Sequence, residues 1–443
     1  MAIDTRTGED LENLKDMAAA HFWPHSRQAG DLSDDTGITL VGDANGVWVE
    51  DLKGVKWFDT IAGMWLKNIG HGRNEIAEAV YKQMTQVSYS PGGTVSPATV
   101  ELSGKLASLT PDKDSRIYFV SGGSEAVETA LKMAKKYHSN NGQSRWKVIS
   151  RRGSYHGATH ACISLGGGGV GAPGDYGPLM PGNIHVSNVD NYRDIYQDPI
   201  ECAYDIERAI LHEGPESVAA VIGEPISAAN GIHVPDPRYW PLVREICDKY
   251  GVLLICDEVI TGFGRTGKMF ACNKIMCEPD LLCLSKGLTA GYMPMAITVT
   301  SDELFNCFFS DSVDKTLLHG HTFTGNPLAC AVAKCSLDLF ESEKTLKKIE
   351  TIEIHHRNFL KEIIKNPKIT KPRVMGSIIG LNVKETTHAY KNETGEFLKN
   401  FFLGEGFNIR PIGSTIYLMP PYCITKKELE KTYSVILSAI DIL

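Results

Sequence analysis

Two short apolar runs in this chain each end in a charged residue. The run from Val252 to Val259 contains Asp257 near its end, and the run from Leu281 to Gly287 contains Lys286. Uninterrupted apolar runs of this length are typical of strands buried on both faces of a parallel sheet. Since the carboxyl ends of such strands bind ligands, we expect Asp257 and Lys286 to face one bound molecule. The alternative is an ion pair on the rim of the sheet.

Hydrophobic periodicity predicts further strands and helices around these two runs. Helical spacing covers Leu11–Ala20, Asn74–Gln86, Val100–Leu109, Leu242–Tyr250 and Leu328–Phe340, and short strands are predicted at Arg116–Val120, Lys147–Ser150, Val218–Ile226, Ile378–Val383 and Ile416–Met419. Around the glycine turn at Gly54 the pattern predicts a hairpin. The order strand, helix, strand between Val218 and Val259 predicts a parallel βαβ unit. The lysine-rich pattern after Phe340 predicts a second, α+β domain.

Composition and charge narrow the class of protein. The 443 residues exceed the size at which one core stops growing, and a net charge of −8 without a basic block argues against nucleic-acid or anionic-membrane partners. No apolar run approaches ~20 residues and the start lacks the pattern of a signal peptide, so we expect a cytoplasmic protein. The eleven cysteines include no Cys-x-x-Cys pair. We therefore expect buried thiols in a reducing compartment, with no disulfide and no metal site.

Other segments carry candidate chemistry. The predicted strand ending at Val120 leads into a glycine-serine turn with Gly123 and Ser124, which suits a phosphate cradle at a helix start; a serine-capped turn is the alternative. Tyr155 could stack on a cofactor ring or could pack in the core. Arg410 is a candidate clamp for a substrate carboxylate, or else a surface arginine. The Gly-x-Gly-x-x-Gly matches within 166–174 and 262–267 lack the context of a dinucleotide site.

A lysine and an aspartate at one sheet edge suit pyridoxal phosphate (PLP). The lysine amine would form a Schiff base with the aldehyde, while the aspartate would keep the pyridine nitrogen protonated so that the ring acts as an electron sink.

The candidate motifs occur in the order found in class III PLP-dependent aminotransferases of fold type I, which the chain resembles from about Trp48 to Tyr422. The motifs are Ser121-Gly-Gly-Ser-Glu-Ala, Ser154-Tyr-His-Gly, Gly223-Glu-Pro-Ile, Asp257-Glu-Val-Ile-Thr-Gly-Phe-Gly-Arg-Thr-Gly, Leu284-Ser-Lys-Gly and His319-Gly-His-Thr-Phe-Thr-Gly-Asn-Pro. The resemblance implies an α/β fold with a mainly parallel sheet flanked by helices and a smaller α+β domain built from both chain ends. The implied limits are 1–70 and 331–443 for the small domain and 71–330 for the PLP-binding domain.

The resemblance also implies a role for each matching residue. Lys286 would be the Schiff-base lysine and proton carrier, Asp257 would pair with the pyridine nitrogen, and Tyr155 would cover one ring face. The remaining cofactor-binding residues would be Val259, Gly123, Ser124, His156, Glu224 and Thr322, and the substrate pocket would include Arg410, Trp65 and Trp23. Thr322 would reach into the neighbouring subunit, which implies a homodimer with shared active sites.

The resemblance implies a transaminase that moves an amino group from an ω-amino acid or amine to an α-keto acid such as pyruvate, with ping-pong kinetics. The alternatives are the adenosylmethionine-8-amino-7-oxononanoate aminotransferase of biotin synthesis, a PLP aminomutase or decarboxylase, and a scaffold protein that kept the fold. Ala158 and Trp23-Pro-His-Ser count against the biotin enzyme, which has an aspartate and Trp-His-Pro-aromatic there. In its favour are the motifs Asn326-Pro-Leu-Ala-Cys-Ala, Glu385-Thr-Thr-His and Ile409-Arg-Pro-Ile-Gly-Ser-Thr-Ile-Tyr-Leu-Met-Pro-Pro-Tyr.

Basic-residue usage changes near residue 271, where the resemblance shifts from the ω-amino acid enzymes to the biotin enzyme. Residues 1–271 hold 12 Arg and 13 Lys, and residues 272–443 hold 3 Arg and 17 Lys. Two ancestries, natural or constructed, are our hypothesis, and chance drift in composition is the alternative. Codon usage on the two sides of residue 271 would separate them, since uniform usage would count against a junction.

Overall fold

A computed structural model describes residues 8–25, 29–30, 38–167, 173–189, 197–383 and 392–443. Its described strands are β1 Val41–Asn45, β2 Trp48–Asp51, β3 Lys56–Asp59, β4 Arg116–Val120, β5 Lys147–Arg151, β6 Asn183–Val186, β7 Val218–Gly223, β8 Leu253–Asp257, β9 Leu281–Leu284, β10 Ala296–Thr300, β11 Ile369–Met375, β12 Ile378–Val383, β13 Phe407–Asn408 and β14 Thr415–Leu418.

The helices of the same ranges include one over each of the five segments predicted by helical spacing. They are α1 Gly8–His21, α2 Ala62–Trp65, α3 Asn74–Gln86, α4 Pro97–Leu109, α5 Gly123–Asn140, α6 His160–Gly166, α7 Glu201–Glu213, α8 Tyr239–Tyr250, α9 Ala271–Ile275, α10 Asp302–Asn306, α11 Pro327–Ser342, α12 Thr345–Ile363, α13 Glu393–Gly404 and α14 Lys426–Ile442. None of these helices is long and apolar enough to cross a bilayer.

The largest sheet has seven strands in the order β4-β10-β9-β8-β7-β5-β6. Strands β6, β5, β7, β8 and β9 pair in parallel, whereas β10 is antiparallel to both β9 and β4. Every residue of β7, β8 and β9 is buried, which explains their continuous apolar sequences. The predicted βαβ unit is confirmed, because α8 connects the parallel strands β7 and β8.

Helices cover both faces of this sheet. On one face α5 packs Val127, Ala130 and Ala134 against the sheet, and on the other face α7 and α8 contribute Ile206 and Val243. Coverage on both sides leaves the strand ends as the accessible part of the sheet. The carboxyl ends of the parallel strands therefore form the natural position for a binding site.

A smaller unit joins the two ends of the chain. Strand β13 pairs in parallel with β3, in the sheet β1-β2-β3-β13, and the ring of Phe58 stacks on Phe407 with centroids 5.2 Å apart. A second sheet, β11-β12-β14, packs beside it with α12 and α14. The predicted fold class is thus confirmed. The proposed limit at residue 330 falls inside α11, whose Phe340 belongs to the smaller core, and the domain limits remain a prediction.

Gly376 marks a close contact between the two units. Its φ is +59°, and a Cβ there would lie 2.3 Å from the main-chain carbon of Thr266.

We expect Gly376→Ala to lower the free energy of unfolding by about 2–4 kcal/mol, because it adds both a clash and left-handed strain. Gly104→Ala is the matched control, since nothing lies within 4 Å of its Cβ position in α4. It should raise stability by about 0.5–1 kcal/mol. Urea unfolding would measure both, and equal stability of the two variants would contradict this account.

Candidate active site

Residues from the carboxyl ends of several strands line one cavity of about 210 Å³. Its lining includes most of the site residues predicted from sequence: Gly123, Ser124, Tyr155, His156, Glu224, Asp257, Val259 and Lys286. Gly157, Ile226, Ile260, Thr261 and Ser285 complete the wall. The structure therefore brings the two charged strand ends together with the glycine-serine turn, as the sequence predicted.

Lys286 lies in a tight turn just beyond β9. Its φ is +41°, a left-handed conformation that costs energy in a residue with a side chain. Burial lowers the pKa of the Lys286 amine to about 8, while the charges of Asp257 and Glu224 oppose this shift. At neutral pH a modest fraction of such an amine is neutral, and the neutral amine is the nucleophilic form.

Asp257 is the last residue of β8 and is held by two hydrogen bonds. Its Oδ2 lies 2.8 Å from His156 Nδ1, and the Val259 main-chain N–H donates to Oδ1 at 3.1 Å. Asp257 pairs with Cys283 across the β8-β9 ladder, and Lys286 follows three residues after Cys283, just beyond the end of β9. The parallel register thus places the acid and the lysine at one rim.

The start of α5 has no side-chain cap. Gly122 occupies the N-cap position and no side chain caps the helix, so the structure does not have the serine-capped turn considered as an alternative. Gly123 leaves room for Val259, whose Cγ1 would lie 3.1 Å from an added Cβ. Gly157 at φ +131° passes so close to Ser124 that a Cβ would lie 2.3 Å from Ser124 Oγ. Free N–H groups and the helix dipole favour a phosphate here.

Glu224 and Tyr155 line the cavity from β7 and from the loop after β5. Glu224 is 4% exposed, and burial raises the pKa of its carboxyl to about 7. Neither carboxylate oxygen of Glu224 makes a hydrogen bond within the described part of the chain. Tyr155 packs on the apolar cluster that contains Ile226 and Trp65.

Of the predicted substrate residues, Trp65 lies beside the cavity and Arg410 contacts Met64, the residue before Trp65. The Trp65 ring lies with its centroid 5.1 Å from Lys286 Nζ, and its Nε1 donates to Tyr417 Oη at 3.1 Å. Arg410 is partly exposed, and its Nη1 donates to the Met64 sulfur at 3.4 Å. Among the described residues no carboxylate forms an ion pair with Arg410.

Two other predicted residues are not part of the cavity wall in this chain. Trp23 is 89% exposed. Thr322 lies in an exposed loop, where its main-chain oxygen accepts a hydrogen bond from Tyr89 Oη at 2.9 Å. Their roles therefore remain predictions. The motif beginning at Glu385 lies outside the described residues.

Sequence reasoning missed a buried polar cluster behind Lys286. Arg265 donates to the main-chain oxygens of Met419 and Pro420 at 3.1 and 2.6 Å and to Asn68 Oδ1 at 2.9 Å. Asn68 in turn packs on Gly287, where a Cβ would lie 2.3 Å from its Nδ2. No local pattern distinguishes such an arginine from a surface one, although its position within the Asp257 motif was a signal.

Comparisons with known proteins agree on one family. The sequence profile described as Aminotransferase class-III matches residues 32–440. An adenosylmethionine-8-amino-7-oxononanoate aminotransferase of Nitratidesulfovibrio vulgaris is 34% identical over 96% of this chain and 81% of its own length. A putrescine–pyruvate aminotransferase of Pseudomonas aeruginosa is 33% identical over 92% and 91%. The PLP-bound amine transaminase from an uncultivated Pseudomonas species superposes with a TM-score of 0.89 at 31% identity, covering 95% and 98%.

The lowered pKa of Lys286 can be tested on the cofactor-free chain. A pKa of about 8 in the folded state, against 10.5 for an ordinary lysine, means that the amine loses its proton as pH rises through 8. Acetylation of Lys286 by a trace of acetic anhydride, quantified by peptide mass spectrometry, should therefore show a midpoint near pH 8. In the denatured chain the midpoint should return towards 10.5. A folded midpoint at or above the denatured one would refute the desolvated setting.

Proposed function

Because the chain belongs to the class-III aminotransferases, which depend on PLP, we propose that it transfers an amino group from an ω-amino acid or amine to an α-keto acid such as pyruvate. The observation that carries this proposal is the convergence of Lys286, Asp257 and the uncapped start of α5 on one cavity. The guanidinium of Arg410, which contacts Met64 next to Trp65 and forms no ion pair with a described residue, supports a carboxylate-bearing partner substrate.

The residues present fit PLP. Asp257 offers a carboxylate for a pyridinium nitrogen, the start of α5 offers N–H groups for a phosphate, and Lys286 offers an amine. The glycines at 123 and 157 are positions where a Cβ would close the cradle. Val259 and Tyr155 line the cavity as apolar walls for a flat ring.

Bound PLP supplies an electron sink for negative charge on the substrate carbon, and the chain's own residues do the rest. With PLP bound, the Lys286 amine would be the base that removes a proton from the substrate carbon and holds it for return. Asp257, oriented by His156, would keep the pyridine nitrogen protonated. Since one cavity serves both substrates, the product of the first half leaves before the acceptor binds, which gives ping-pong kinetics.

The substrate side of the proposal rests on Trp65 and Arg410. The indole near Lys286 Nζ leaves limited space for a bulky donor. Arg410 would pair with the carboxylate of the keto acid, and its soft contact with Met64 is weak enough to be replaced. Arg410 would then move aside for a donor without a carboxylate at that place.

The second candidate is the aminotransferase of biotin synthesis. It is favoured by the 34% identity to the Nitratidesulfovibrio vulgaris enzyme and by the motif from Ile409 to Tyr422. Ala158 stands where that enzyme family has an aspartate. We therefore place it second.

We also propose a cytoplasmic homodimer in which Thr322 completes the partner's phosphate site. Phe323 beside it is 59% exposed and contacts the Tyr89 ring edge-to-face at 6.2 Å, as an apolar loop that docks on a second copy would. Eight of the eleven cysteines are buried, as expected for small apolar thiols in a reducing compartment.

A donor panel tests the main proposal. Pyruvate combined with ω-amino acids, diamines and aromatic amines should give stoichiometric alanine with the wild-type chain and none with Lys286→Ala. The keto acid of biotin synthesis with S-adenosylmethionine should give at least 10-fold less product. The reverse ranking would favour the biotin enzyme, and the absence of any amination with a visibly PLP-loaded protein would refute both candidates.

The role of Arg410 is tested by Arg410→Met, which keeps length and removes charge. We expect KM for pyruvate to rise about 10- to 100-fold, in line with the loss of a charge-assisted hydrogen bond of about 1.5–3 kcal/mol. KM for an uncharged-tail monoamine should change by less than about 2-fold. Steady-state kinetics would measure both constants. Equal changes in the two would show that Arg410 has no carboxylate-specific role.

A further inference from the structure

Arg151 and Glu224 form a buried charged pair that the steps above leave without a role. Arg151 ends β5 and Glu224 follows β7, and the two strands are parallel neighbours. The residues are 2% and 4% exposed. Arg151 Nη2 donates to the main-chain oxygen of Glu224 at 2.5 Å and lies 3.9 Å from its Oε2. Within the described ranges neither residue has another ion-pair partner.

Aromatic rings hold the Arg151 guanidinium in place. It lies 5.8 and 5.4 Å from the ring centroids of Tyr239 and Trp240. Gly223 leaves the necessary space, since a Cβ there would lie 2.8 Å from Trp240 Cη2. A buried cation is costly unless a carboxylate compensates it, and Glu224 is the carboxylate at hand.

Glu224 is the acid of the cavity with open oxygens. The carboxylate oxygens of Asp257 form hydrogen bonds with His156 and the Val259 N–H. The carboxylate oxygens of Glu224 make no hydrogen bond among the described residues. Among the charged groups near Glu224, His156 and then Arg151 lower the pKa of its carboxyl, and Asp257 raises it. Glu224 itself raises the pKa of Lys286 across the cavity.

We propose that Arg151 is a positioning residue that holds Glu224 directed into the cavity and favours its ionised form, so that Glu224 serves as a second countercharge for the Lys286 nitrogen. The physical reason is the near balance of opposing effects at Glu224. Burial favours the neutral form of Glu224, and the charges of His156 and of the guanidinium 3.9 Å away oppose burial and favour the carboxylate. The inference rests on the proposed function only in that PLP is bound at Lys286.

The test is a pH titration of the absorbance of the PLP-loaded, full-length protein between pH 5 and 10, without any amino donor. Arg151→Met and Glu224→Gln should each lower the midpoint by roughly 0.5 to 1 pH unit, because a neutral Glu224 no longer stabilises the proton on the Lys286 nitrogen. Arg151→Lys keeps the positive charge, so its titration midpoint should lie close to that of the wild-type protein. Arg152→Met is the matched control, since this neighbouring arginine is exposed and should leave the midpoint unchanged.

A double-mutant cycle distinguishes positioning from a merely structural effect. If Arg151 acts through Glu224, then Arg151→Met together with Glu224→Gln should titrate like Glu224→Gln alone. The proposal fails if the Arg151 shift persists in the Glu224→Gln background, or if Arg151→Met leaves the midpoint unmoved. If Arg151→Met does not fold, Arg151→Gln takes its place in the cycle with the same outcomes. The titration needs no amino donor. If the expected midpoint shifts are found in a protein that aminates no keto acid, the proposed function is refuted and the inference about Arg151 stands.

Discussion

The structure depends on holding one amine, that of Lys286, and one carboxylate, that of Asp257, together at the buried rim of the sheet. An isolated buried charge would neutralise or unfold its surroundings, so each must have compensation. Asp257 has it from His156 and a main-chain N–H, and Lys286 has it from Asp257 and Glu224. The compensation is incomplete for Lys286, because burial still lowers the pKa of its amine to about 8. A lysine in this state is stable in the fold and still reactive near neutral pH.

Holding that lysine requires strain, and the strain is supported from outside the large sheet. Lys286 adopts a left-handed φ, and so does Trp65 beside it at φ +67°. Asn68, three residues after Trp65, packs on Gly287 and accepts a hydrogen bond from Arg265, which also binds the main-chain oxygens of Met419 and Pro420. Segments from the start, middle and end of the chain therefore meet behind one amine. This convergence explains why the smaller unit is assembled from both chain ends.

The sequence predicted the parts of the fold that local patterns determine. The continuous apolar runs gave β7, β8 and β9, helical spacing gave α3 at its observed limits, and the order of motifs gave the cavity. Strand β10, antiparallel between β4 and β9, was not predicted, because its sequence Ala296–Thr300 carries no turn signal or charged end. The buried roles of Arg151 and Arg265 were also missed. Whether an arginine is buried depends on residues far along the chain, and no periodicity reports that.

The change in basic-residue usage near residue 271 has a structural side. Residue 271 begins α9, and the buried carboxylate of Glu258 accepts the main-chain N–H groups of Ala271 and Cys272 at 2.6 and 2.7 Å. Burial raises the pKa of Glu258, and the two main-chain hydrogen bonds oppose this shift, so they offset part of the free-energy cost of burying the carboxylate. Any change of ancestry at this position would therefore have to preserve a carboxylate on one side and a helix start on the other. The Glu258 carboxylate lies next to Asp257, and the helix start at residue 271 binds that carboxylate. The sequences before and after residue 271 are therefore both needed to hold the segment that carries Asp257.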